Sequence, residues 1–78
     1  MTPAQCRAAR GIIDWTQADL ARSAEVGIVT LRQFERGASE PRRAILKALR
    51  DALEQAGVRF IGANRGGGPG VRLREDRP

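Results

Sequence analysis

From Pro3 to Gly57 the apolar residues recur at intervals of three and four, the period of helices with one buried face. Beyond Gly57 they alternate, the period of a strand. The first helix is expected to open at Thr2–Pro3, with Thr as cap and Pro at the first helical position, and to run to about Ile13. Cys6, Ala9, Ile12 and Ile13 would face inward. Asp14 and Trp15 link it to a second helix. There Thr16 is a good N-cap, and Asp19 completes a capping box with a negative charge in the first turn. Leu20, Ala21 and Ala24 form that helix's inward stripe. Gly27 can cap a third helix, in which Leu31 and Phe34 face inward and after which Gly37 supplies the stop. Pro41 is expected to begin a long fourth helix to about Ala56. Its apolar positions are Ile45, Leu46, Leu49, Ala52, Leu53 and Ala56, and Gly57 ends it.

The tail changes character. Val58-Arg59-Phe60-Ile61 and Val71-Arg72-Leu73-Arg74 read as short strands, separated by a loop from Gly62 to the glycine-rich turn ending at Gly70. Val58 and Phe60 point to one side, and Val71 and Leu73 can match them. A lone two-stranded hairpin is marginal in water, so it must pack on the helices or pair with another chain. The last residues, Glu75 to Pro78, are expected to fray.

Thr16 to Gly37 is the most informative segment. Two short helices are joined by a tight turn, and Val26 is placed to plug the gap between them. Small Ala21 lets them approach closely. The second of the pair has an outward set, Ile28, Val29, Arg32, Gln33 and Arg36, that its own core does not need. Such a pair can lay one helix in a DNA major groove while the other braces on the backbone.

The same segment resembles the phage-repressor-like (Cro/XRE-type) helix-turn-helix DNA-binding proteins. The matching positions are Trp15-Thr16-Gln17, Asp19-Leu20-Ala21, Ala24, Val26, Thr30-Leu31, Phe34-Glu35-Arg36-Gly37 and Pro41, in order and at the family's intervals. The likeness spans roughly Ala8 to Gly57, about two-thirds of the chain. The family usually has Gly in the turn where this chain has Glu25, and Ser where it has Gly27. A non-glycine residue carries a steric penalty at positive φ. The resemblance implies a mainly α fold, a four-helix DNA-binding domain over residues 1–57. In many repressors of the family a further helix follows the fourth. Here a β hairpin or β arm, residues 58–78, stands in its place.

Composition narrows the function. Seventy-eight residues make one small domain, too small for a large cofactor site. The net charge is +5 without histidine, and Arg supplies thirteen of the fourteen cations, which suits phosphate and guanine contacts. High genomic G+C would also favour Arg over Lys. The single cysteine, Cys6, excludes an internal disulfide and reads as a small packing residue. No apolar run reaches membrane-spanning length and no secretory signal is evident, so the cytoplasm is the expected compartment. The Gly66-Gly67-Gly68 run lacks the flanking strand, helix and Lys-Ser/Thr pair of a nucleotide loop. No His, no Tyr and no metal-ligand cluster supports catalysis. No metal, cofactor or enzymatic activity is therefore expected.

The expected role is sequence-specific binding of double-stranded DNA by a transcriptional regulator. Arg32 and Gln33 are the candidates for base edges, and Ile28 and Val29 for thymine methyl groups. Gln17, Arg36, Arg42 and Arg43 are the candidates for phosphates. Two cations beside a helix N-terminus, as at Arg42 and Arg43, are unfavourable without an anion. Glu35 is expected to be structural, paired with a nearby Arg. A homodimer would supply two half-sites, with Val58, Phe60, Ile61, Val71 and Leu73 of the tail as its interface. The alternative is a protein-binding module of the same fold, an antitoxin or anti-activator, gripping a partner through that apolar tail.

Overall fold

The computed structural model describes residues 1–75, so the expected fraying lies, from Asp76 onward, outside the described residues. Helices α1 (Pro3–Ile12), α2 (Gln17–Ala24), α3 (Ile28–Glu35) and α4 (Arg43–Gln55) are followed by strands β1 (Val58–Ile61) and β2 (Gly70–Leu73). One core joins them all. Its largest fully enclosed side chains are Cys6 of α1, Leu20 of α2, Leu31 of α3, Leu49 and Leu53 of α4, and Val58 of β1.

Local chemistry starts the first two helices. The Thr2 hydroxyl accepts from Gln5 N at 3.0 Å and the Gln5 side chain accepts from Thr2 N at 2.9 Å. Thr16 and Asp19 do the same for α2, at 3.0 and 2.9 Å. Each box satisfies two amides that the helix itself leaves without partners.

Three helices stop by one device. Asp14 (φ 57°), Glu25 (φ 56°) and Gly37 (φ 75°) each turn left-handed. The next residue then donates back across the last turn: Trp15 to Arg10, Val26 to Ala21 and Ala38 to Gln33, at 2.8–2.9 Å. This is the Schellman motif, which satisfies carbonyls at the helix end. Glu25 therefore adopts the left-handed conformation that favours glycine. Val26, 9% exposed, plugs the α2–α3 junction as expected.

Two boundaries differ from the sequence reading. Arg42 has extended backbone (ψ 154°) and occupies the N-cap position of α4 without a side-chain bond, so the helix begins at Arg43 and Pro41 lies outside it. α1 ends at Ile12, and Ile12 is 40% exposed rather than inward. Ile13 continues the Cys6 stripe at i+7, whereas Ile12 falls to one side of it.

The strands pair antiparallel, with Val58 opposite Leu73, Arg59 opposite Arg72, Phe60 opposite Val71 and Ile61 opposite Gly70. The hairpin folds back on its own chain. β1 packs on α4 and α1, and β2 on α1. Gln5, itself 7% exposed, fastens the attachment, its amide donating to Ile61 O (3.3 Å) and Gly70 O (3.0 Å). Val58 is fully enclosed, and Phe60 and Val71 pack against the core. Val58 is therefore a core residue and not a contact for a second chain.

Candidate nucleic-acid interface

α3 shows two faces. Ile28, Leu31 and Glu35 lie at i, i+3 and i+7, the stripe turned into the protein. Leu31 and Glu35 are buried, and Ile28 is half-buried against the core. Ile28 is thus not the exposed apolar residue read from the sequence. The opposite stripe, at i, i+3, i+4 and i+7, is Val29, Arg32, Gln33 and Arg36. Val29 is 60% exposed, Arg32 and Arg36 are exposed, and Gln33 is half-buried. None of these four side chains makes a hydrogen bond or ion pair among the described residues.

The end of α3 is held from inside. Glu35 is buried, and Arg10 of α1 grips its carboxylate with two parallel bonds, Nε to Oε2 and Nη2 to Oε1, both 2.7 Å. Gln17 of α2 donates to Oε1 at 2.9 Å, and the Cys6 thiol donates to Oε2 at 3.1 Å. Arg7 donates to the Glu35 carbonyl, one of the acceptors that a helix end leaves open. Burial by itself pushes the Glu35 carboxyl up; the bonds from Arg10, Gln17 and Cys6 outweigh it and hold it below its ordinary value. Burial, and then the bond to Glu35, push the Cys6 thiol well above its ordinary range, so it stays a donor. One carboxylate thereby ties α1, α2 and α3 together and sets the angle at which α3 is presented.

Around this knot lies a shallow basic cleft lined by Arg7, Arg10, Gln17, Arg32, Glu35 and Arg36. Gln17 stands at its edge, half-buried, with its side-chain amide already committed to Glu35. Arg42 and Arg43 are exposed at the start of α4, where no side chain caps the helix. Arg7 and Arg10 were missed as site residues. Their signal was Glu35 itself, which falls on the inward stripe of α3 and needs a cation there. Of the five hairpin residues, Phe60 and Val71 join Val58 in serving the chain's own core, and Ile61 and Leu73 are half-buried. Among the described residues no helix is long and apolar enough to cross a membrane.

The structure is similar to the solution structure of the DNA-binding domain of the phage P22 C2 repressor. The TM-score is 0.62 at 35% identity, over 67% of this chain and 68% of that one. Residues 7–55 match the model of a family described as helix-turn-helix, of the Cro/C1 type. No curated protein sequence matches the chain. The chain belongs to this helix-turn-helix family.

Proposed function

We propose that this member of the Cro/C1-type helix-turn-helix family is a transcriptional regulator that binds duplex DNA with α3 in the major groove. The observation that carries this reading is the outward stripe of α3. Among the described residues the side chains of Val29, Arg32, Gln33 and Arg36 make no hydrogen bond or ion pair, while the Glu35 knot fixes the helix that bears them. Arg32 matches a guanine edge, Gln33 an adenine edge, and Val29 a thymine methyl group. Ile28 contributes to this face only by its exposed edge, beside Val29.

Phosphates would lie on either side. The first turn of α2 offers the Gln17 backbone amide to one strand. Arg36, Arg42 and Arg43 offer guanidinium groups, which match phosphate oxygens in pairs. An anion at Arg42 and Arg43 also removes the unfavourable meeting of two cations with an uncapped helix start. The phage P22 C2 repressor domain, a DNA-binding domain by its description, supports this reading.

One α3 reads only a few base pairs. We therefore propose a homodimer on two half-sites about 34 Å apart. Its contacts fall to Leu73 and the free strand edges, since Val58, Phe60 and Val71 are used within the chain and Ile61 shares its face with the cations Arg59 and Arg72. That use also weakens the rival reading of the tail as an apolar grip for another protein. The test is selection of bound fragments from genomic DNA by the full chain, followed by footprinting. An inverted repeat protected in the major groove is expected, and binding without sequence preference would contradict the reading.

A further inference from the structure

The hairpin has an outer face that neither the core nor the groove-reading helix uses. Arg59 and Arg72 stand directly opposite one another on it, and both are exposed. Arg74 lies exposed in the bend just past β2, and Arg65 lies exposed in the connecting loop. Cross-strand neighbours have Cβ atoms only about 5 Å apart, so like charges there weaken the pair. Elsewhere the exposed helices neutralise such charges. Arg22 pairs with Asp19, Lys47 with Asp51 and Arg50 with Glu54. Among the described residues no ion pair involves Arg59 or Arg72. Arg50, already paired with Glu54, lies 5.1 Å over the Phe60 ring on the other face of the hairpin.

A second copy of the chain would meet this face with the same charge, so it is a poor self-interface. A polyanion would relieve the repulsion. Guanidinium groups match phosphate oxygens in pairs and remain charged at any working pH. We propose that Arg59 and Arg72 form a second, sequence-independent surface that grips the phosphate backbone of duplex DNA outside the groove read by α3. The hairpin packs on α1 and α4, whereas α3 packs on α1 and α2, so the two surfaces belong to different parts of the fold. The choice of DNA as the polyanion rests on the function proposed above; the surface itself does not.

The test is the salt dependence of binding to a random-sequence duplex, with the full chain and the double variant Arg59→Gln, Arg72→Gln. The slope of log affinity against log salt is expected to become shallower by nearly two units, about 0.9 for each lost phosphate contact. Preference for a selected site over the random duplex is expected to stay the same. A second variant, Arg59→Glu, places opposite charges across the strands. It is expected to melt no lower than the parent and to show at least the same loss. Unchanged slopes in both variants overturn the proposal, and so does a loss confined to phosphatidylglycerol vesicles. Arg32→Ala with Gln33→Ala is expected to lose site preference and keep the hairpin's share of the slope. A chain with no site preference but a hairpin-dependent slope would reject groove reading and keep this surface.

Discussion

Arg10 and Glu35, twenty-five residues apart in the chain, form a two-pronged ion pair with both bonds at 2.7 Å. Glu35 is the last residue of α3, where a carboxylate opposes the helix dipole, and it is nearly enclosed. Only a fixed cation makes that position tolerable. The pair therefore couples the stability of the fold to the orientation of the helix that meets DNA.

Breaking it should be costly. Arg10→Ala leaves a buried carboxylate without its main partner, and a loss of about 3–5 kcal/mol is expected. Urea unfolding measures it. Because the folded Glu35 carboxyl lies below its ordinary value, its contribution is present above the unfolded carboxylate pKa. It is lost as pH falls through the folded value. Glu35→Gln should accordingly flatten the acid side of the stability profile, and an unchanged acid limb would contradict this role.

Glu25 is held left-handed, with φ 56° and ψ 43°. Glu25→Gly removes a steric cost of roughly 1–2 kcal/mol, offset in part by the greater freedom of glycine in the unfolded chain. A net gain of about 1 kcal/mol in denaturant unfolding is expected, with DNA affinity unchanged. A loss of stability would mean that Glu25 has a compensating contact the structure does not show.

Arg42 and Arg43 should act on all DNA sequences alike. Removing each one is expected to make the salt dependence shallower by about one unit of slope. Discrimination between sites should survive. A selective loss at one base position would make them base readers instead.

Dimerisation needs a different test from simple truncation. Ending the chain at Gly57 would take Val58 out of a closed core, and the helices would suffer whatever the hairpin does for assembly. Leu73→Asp spares Val58, Phe60 and Val71, and leaves the Arg59 and Arg72 face unchanged. Sedimentation on DNA should show two copies per site for the parent and weaker binding by the variant. A parent that binds tightly as one copy per site would contradict the homodimer.

The helices were legible because their signals are local. Thr16 with Asp19, and Gly37 after Phe34, are capping and stop chemistry written within a few residues. Ile28 was misread because the apolar stripe of α3 was begun at Leu31, although Ile28 continues it at i−3. Ile12 was misread for the converse reason, since an apolar residue beside a stripe looks like part of it. The hairpin's strands and facing were legible from alternation. Its attachment was not, because Gln5 reaches Gly70 across sixty-five residues and nothing in a polar side chain's type announces such a bond. The knot at Glu35 was legible only as a need for some Arg; which one is decided by how α1 crosses α3.

Reading of the groove by α3 is tested most directly by the affinities of Arg32→Ala and Gln33→Ala for a selected site and for a random-sequence duplex, measured side by side. Each substitution is expected to cost about 1–3 kcal/mol at the selected site. Loss of the Gln33 amide should leave random-sequence binding nearly untouched. In the double variant the preference for the selected site should largely disappear. Unchanged affinity and unchanged preference in that variant would show that α3 is not the reading element.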